Sequence, residues 1–365
     1  MKICLMPSDF DGPGCYRVLF PARELRFNGH EAKLPPYETQ EMEDGFLRIH
    51  LHTEQAPPCD IYVLQQRREE GMEKLIEKWH SEGSKVVSDT DDWYLGIPPY
   101  NPAFAKSIGY RYEYKAFDDG GYQRTRHKEQ FSIQAMMRGF ARSDAVTCST
   151  PFLAEKYSRY NQNIHVLRNY LDWDMWDNLT PVYEQDRELR IGYMGKVEWH
   201  NNDLRVIGAT LEPFFQKYPE LKFVAAGDPE IHNVLKIPED RRITMPSINF
   251  RDFDLADITA TFDIGIVPLE MNNFNEAKSH LKGMEYAACG IPTVASPTES
   301  YRYWMSEDIG FLPKKNRTKE WYKYIELLIE DEDLRIKMGK AARKQAHEHT
   351  IQRHWKEWED VYSAL

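Results

Sequence analysis

LRIGYMGKVEWHNNDLRVIGATLEPFFQKYPELKFVAAG, residues 189–227, begins and ends on short apolar runs. Both runs lack polar alternation, as strands buried on the two faces of a parallel sheet do. Between them Leu204–Tyr218 is amphipathic, which predicts a helix. A strand, a helix and a second strand make a βαβ unit, and that unit implies a parallel sheet with helices on its faces.

The same grammar extends in both directions. KICLMP, IYVLQQ, KVVSDT, DAVTCST and IHVLRN precede this unit, and ITMPSI, DIGIVPL and IPTVAS follow it, with helical stretches such as Glu320–Glu330 interleaved. The pattern pauses at Asp172–Arg187, where WDMWDNLTPVYEQDR holds no clear strand. Two α/β domains are therefore expected, residues 1–175 and 187–340, each a Rossmann-like doubly wound parallel sheet. The terminal segment 341–365, helical and rich in aromatic residues, is free to pack back on the first domain.

Bulk properties narrow the class. The chain of 365 residues carries a net charge of −11, which argues against nucleic-acid binding through overall charge. No apolar run reaches the ~18 residues of a membrane span. MKICLMPSDFDGPG reads as a first strand rather than a secretory signal. Five cysteines without a CxxC pair fit a reduced cytoplasmic protein with no zinc site.

NEAKSHLKGMEYAACGIPTVAS, Asn275–Ser296, carries the clearest chemistry. Lys278, Lys282 and Glu285 recur at i, i+4 and i+7, so a continuous helix would put them on one face. A helix N-terminus with lysines on its first turn suits a diphosphate, and Glu285 suits the paired hydroxyls of a ribose. The bland alternative is a solvated, salt-bridged face.

Together with DGPGCYRVLFPARELRFNGHE, DAVTCSTPFLAEKY, IHVLRNYLD and LRIGYMGKVEWHNNDL, this segment resembles the GT-B retaining glycosyltransferases of family 4 (glycosyltransferase group 1), of the kind found in bacteria and bacteriophages. The resemblance covers most of the chain. It implies two Rossmann-like domains facing across a cleft, the first for the acceptor and the second for a nucleotide diphosphate-sugar, with UDP or GDP as the nucleotide. It also implies transfer to a hydroxyl with retention, needing no metal and no cofactor. By position Glu285 takes the ribose; Lys196, Lys278 and Lys282 supply charge for the diphosphate, and Gly195 and Ser279 are further donor-binding residues. The sequence departs from the family at Ala277, where the first of two glutamates usually stands; Glu276, one residue earlier, is the substitute. A second lysine after Lys196 is also missing, and His200 and Asp203 read as loop and cap residues.

In the first half, Asp89, Asp91 and Asp92 follow a buried strand, where ligand crevices form. Asp89 and Asp91 are candidate bases, and Asp92 a candidate acceptor contact. Gly12, Gly14 and Arg17 of the glycine loop are further acceptor candidates. Between Tyr100 and Phe131 aromatic and basic residues interleave, among them Lys106, Arg111, Lys115, Arg124, Arg126 and Lys128. This segment reads either as an acceptor lid hinged at Gly120-Gly121 or as a pair of amphipathic helices. The default acceptor is a glycan, a lipid-linked sugar or a small molecule. Three alternatives stand beside it: transfer to a hydroxymethylated DNA base; a nucleotide-sugar epimerase using Asp89, Asp91 and His127; and an inactive sugar-nucleotide-binding protein.

Overall fold

The computed structural model describes residues 1–41, 47–101, 104, 110–116, 122–128, 133–247 and 254–365. Side chains are described for all of these except 41, 47–49, 110–116, 122–128, 199, 201 and 209. The chain forms two compact units, Met1–Arg168 with Glu357–Leu365, and Asn169–Lys356.

In the first unit the strands are β1 (Lys2–Met6), β2 (Glu31–Lys33), β3 (Tyr37–Glu41), β4 (Leu47–Leu51), β5 (Ile61–Gln65), β6 (Lys85–Thr90), β7 (Tyr110–Ala116), β8 (Tyr122–Lys128), β9 (Ala145–Cys148) and β10 (Ile164–Val166). Six of them form a sheet in the order β10-β9-β6-β5-β1-β2, and every pairing is parallel. Apolar runs make its centre: all five residues of β5 are buried. The helix Met72–Ser81 covers it by burying Met72, Ile76 and Trp79 at i, i+4 and i+7. Trp79 stacks on Tyr62 with ring centroids 4.1 Å apart. Near the C-terminus, Trp358 and Tyr362 are buried, and Glu359 lies 2.8 Å from His30 Nε2, fastening that segment to the first unit.

The second unit holds β11 (Arg190–Met194), β12 (Lys222–Ala226), β13 (Arg242–Met245), β14 (Ile264–Val267), β15 (Thr293–Ala295) and β16 (Gly310–Phe311). Their order is β13-β12-β11-β14-β15-β16, again parallel throughout. Trp321, Ile325 and Leu328 of the helix Thr318–Glu330 join Ile191, Phe223 and Ile264 in its core.

Each sheet reverses its winding once. In the first unit the chain moves from β1 outward to β2, then returns to β5 on the other side. In the second it moves from β11 through β12 to β13, then returns to β14. The crevices beyond the carboxyl ends of β1/β5 and β11/β14 are the switch points at which such sheets bind ligands.

Three local expectations are corrected. Leu204–Tyr218 is not one helix. A helix Val197–Arg205 is followed by a short turn at Gly208–Thr210 and a new helix, Glu212–Lys217, started by Pro213. Tyr110–Lys128 is not a helix pair, because β7 and β8 form an antiparallel ladder from Tyr110↔Lys128 to Ala116↔Tyr122; aromatic and β-propensity residues there favour strand. Gly120, Gly121, Lys106 and the side chains of Arg111, Lys115, Arg124, Arg126, His127 and Lys128 lie outside the described residues. Asn275–Ser296 is not one helix either, so Lys278 lies outside the helix Leu281–Ala288.

Candidate functional site

β11 ends at Met194, and Gly195 turns the chain away with φ +156°. A side chain at Gly195 would meet the Tyr193 hydroxyl at 3.0 Å, so the tight turn needs glycine. Lys196 then stands at the N-cap of Val197–Arg205. The first N–H of that helix, on Val197, donates to Asp228 Oδ2 at 2.8 Å.

Asp203 is no cap. It lies inside that helix and joins the two loops of the switch point. Its Oδ1 accepts the Glu270 N–H at 2.8 Å and the Asn275 side-chain amide at 2.6 Å. Its Oδ2 lies 2.9 Å from His200 Nδ1. Burial pushes the His200 imidazolium pKa down to about 4 against the pull of Asp203, and Lys282 and Lys278 push the same way. The ring is therefore neutral at pH 7. With Asp203 accepting at Nδ1, Nε2 is left as an acceptor.

The segment Asn275–Ser296 breaks where one helix was expected. Asn273–Glu276 is a single turn whose Asn275 N–H is capped by the Asn272 side chain at 2.9 Å. A bend follows, and the next helix is Leu281–Ala288. Lys278 therefore precedes the helix that carries Lys282 and Glu285 and does not share its face. The bend is held by side chains: Ser279 Oγ accepts from Asn169 at 3.1 Å, and His280 stacks on Trp304 at 5.2 Å.

Both lysines still come to the same place. Lys282 Nζ lies 4.6 Å from the centroid of Tyr193, and Lys278 Nζ lies 4.5 Å from that of Phe274. Burial pushes Lys282 down to about 8, with Glu285 opposing and Lys278 adding to the shift. Glu285 is itself buried. The switch point of the second unit thus gathers two lysines, a neutral histidine and a buried glutamate beside the Gly195–Lys196 turn.

Glu276 points elsewhere. Its Oε2 accepts the Glu299 N–H at 2.8 Å and lies 3.9 Å from Arg302 Nη2, so it caps the helix Glu299–Trp304. Ala277 is fully buried.

In the first unit the acidic residues are mostly committed inside the fold. Asp89 and Arg17 are each 1 % exposed. Arg17 donates from Nη2 to Asp89 Oδ2 at 2.6 Å and from Nε to Oδ1 at 3.2 Å. Its Nη1 donates to the Leu167 carbonyl, and Thr147 donates to Asp89 at 2.6 Å. Expected as a base and an acceptor contact, these two form a buried bidentate pair instead. Gly12 starts the helix after the first loop. Gly14 donates its N–H to Asp9 Oδ1 at 2.9 Å. A Cβ on Gly14 would fall 1.9 Å from the Asp9 carbonyl, so the close approach it permits is to its own loop.

Asp91 accepts from Gln66 Nε2. Burial, then the charge of Asp92, pushes its carboxyl up to about 7. The Asp92 carbonyl takes the Tyr157 hydroxyl at 2.9 Å. Sequence reasoning missed Tyr193, Glu270 and Asn275 in one unit and Gln66 and Tyr94 in the other. A polar Gln-Gln pair closing an apolar strand was the one local signal available for Gln66.

Residues 208–360 match the model of a glycosyl transferase-like family. No curated protein matches the chain. Among solved structures, a glycosyltransferase from Rickettsia africae has a TM-score of 0.65 at 14 % identity, over 99 % of this chain and 97 % of that one. Sucrose-phosphate synthase from Thermosynechococcus elongatus has 0.64 at 13 %, over 99 % and 98 %. HepE of Anabaena, solved with UDP and glucose, has 0.64 at 13 % over the full length of both chains. The chain thus has the GT-B fold, and the match to the glycosyl transferase-like model falls mostly on its second unit.

Proposed function

We propose that the protein is a glycosyltransferase that moves a sugar from a nucleotide diphosphate-sugar to a hydroxyl acceptor, retaining the anomeric configuration. One observation carries this reading: Lys278, Lys282 and the buried Glu285 meet at the switch point of the glycosyl transferase-like unit. The lysines, with Lys196, neutralise the diphosphate, and Glu285 accepts from the ribose hydroxyls. No metal is needed where lysines supply that charge. UDP is the first nucleotide to test, since HepE was solved with it. Five free cysteines suit a reducing, cytoplasmic setting.

During transfer the bond from the anomeric carbon to the phosphate oxygen breaks while the acceptor oxygen bonds the same face. The acceptor proton passes to the departing phosphate oxygen. The chain's task is to hold both partners in line and to stabilise the charge growing on the leaving group. Asp91 is poised to orient the acceptor hydroxyl. The acceptor is a glycan, a lipid-linked sugar or a small molecule.

The capping role of Glu276 and the burial of Ala277 favour a second reading, a nucleotide-sugar-binding protein without turnover. The test is incubation with UDP- and GDP-sugars, with and without EDTA and candidate acceptors, followed by proton NMR of the anomeric signal. EDTA-resistant product with the donor's anomeric configuration is expected. An inverted product sinks retention, EDTA-sensitive turnover sinks metal independence, and binding without any product favours the second reading.

A further inference from the structure

The first unit holds a groove of about 850 Å³ lined by Ser8, His50, Gln66, Arg67, Arg68 and Lys74, among others. It lies beyond the carboxyl ends of β1 and β5, at that unit's switch point. The chain entering it is strained, since Gln66 has φ +51°, a conformation that side chains other than glycine seldom adopt. Its side-chain amide is gripped from two sides, donating to Asp91 and accepting from the Tyr94 hydroxyl. This grip sets the direction of the residue that follows.

That residue is Arg67. Its Nη1 donates to Glu69 Oε1 at 2.9 Å. Its Nε and Nη2 are buried with no acceptor among the described residues. Those two groups form one edge of the guanidinium fork, spaced to take both oxygens of a carboxylate or phosphate. Unmet buried cationic donors are costly and call for an explanation. Arg68 lies 4.9 Å over the Tyr94 ring, and Lys74 and Lys78 also line the groove. Two of the acids there are engaged: Glu69 holds Arg67 and the Arg68 N–H, and Glu70 holds Arg138. Glu54, at the rim, is exposed.

We propose that this groove binds an oxyanion carried by the acceptor, with Arg67 Nε and Nη2 as its bidentate donors and Arg68 and Lys74 adding charge. The ligand class is a sugar or small polyol bearing a phosphate or a carboxylate. The inference rests on reading the first unit as the acceptor half, and it names what that acceptor must carry.

The full chain, with its donor site saturated by UDP, is titrated calorimetrically with glucose 6-phosphate, glucuronate and glucose. At least one of the two anions binds about tenfold tighter than glucose, and Arg67→Gln removes that advantage. The thermal midpoint of Arg67→Gln changes little, because the exchange removes buried unmet donors together with the Glu69 pair. A preference for glucose 6-phosphate or for glucuronate identifies phosphate or carboxylate as the source. Equal binding of all three sugars overturns the proposal, as does anion binding unchanged in Arg67→Gln. If that variant does not fold, Arg67→Lys keeps the charge and loses the fork; unchanged anion binding there also overturns it. Failure of UDP to bind counts against the donor assignment alone. The titration then proceeds on Lys282→Met, which weakens anion capture in the second unit.

Discussion

At the switch point of the second unit cations rest against aromatic rings, Lys282 on Tyr193 and Lys278 on Phe274. At that of the first unit the acids are committed within the fold, Asp89 to Arg17 and Asp9 to Gly14, and the cations lining the groove include those of Arg67, Arg68 and Lys74. The two sheets share one winding, yet one crevice carries its cations as lysines against rings and the other has spent most of its acids on holding loops in place, leaving an arginine fork in its groove. Fold sets where a ligand sits, and the side chains at the loop ends set what it is. The first-unit acids, grouped in sequence as Asp89, Asp91 and Asp92, therefore part company: one is structural, one stands near neutrality, and one offers its backbone carbonyl to Tyr157.

The contrast breaks most visibly at the buried pair. Arg17→Met leaves Asp89 buried without its partner, and a loss of about 3–5 kcal/mol is expected in urea unfolding monitored on the first unit. UDP affinity of the protein that remains folded should not change. An exposed, replaceable pair would lose less than about 1 kcal/mol, and the structural assignment would then be wrong.

Glu285→Ala should act the other way, on ligand and not on fold. Losing a charged acceptor for two ribose hydroxyls weakens UDP binding by about 2 kcal/mol, roughly thirtyfold, in calorimetry. Binding at wild-type strength would remove Glu285 from the ribose.

Lys282 sharpens the comparison through pH. Burial holds its pKa at about 8, below the ordinary lysine value, so its charge is present below pH 8 and is lost as pH rises through that value. UDP keeps its charge in this window, because its last phosphate proton leaves near pH ~6. UDP affinity should therefore fall between pH 7 and pH 9, and Lys282→Met should be weaker at pH 7 and flat across the range. A flat wild-type profile would detach Lys282 from the phosphate.

Asp91 gives the first unit's counterpart. Its folded pKa of about 7 lies above the unfolded value near ~3.9, so the folded chain binds more protons between them and stability falls as pH rises through that window. Asp91→Asn should flatten this slope in melting curves taken from pH 5 to pH 8.

Smallest in effect is Glu276→Ala, which removes a helix cap and should cost about 1 kcal/mol of stability with UDP affinity unchanged. A large fall in turnover without loss of stability would return Glu276 to the sugar.

Much of the sheet architecture was legible because its strands are continuous apolar runs, such as IYVLQ and KFVAA, which can only be buried. β2, with the sequence EAK, was not, because an edge strand needs no such run. The hairpin β7–β8 was missed for a related reason: its alternating aromatic and basic residues suit a strand as well as a helix face. At the site, residue types were readable in Lys278, Lys282 and Glu285, but their geometry was not. The bend at Ser279–His280 depends on Asn169 and Trp304, far away in sequence. Arg17 and Asp89 looked like ligand contacts because nothing local to either shows that they face each other.

On the proposed reading, the second unit's switch point binds a nucleotide diphosphate-sugar through its lysines without a metal. Calorimetric titration of the full chain with UDP at pH 7 in EDTA, beside Lys282→Met, tests it most directly. Saturable one-to-one binding is expected, weakening about tenfold or more in the variant, equivalent to about 1.4 kcal/mol. Absence of binding by the wild-type chain, or equal binding by both proteins, would contradict it.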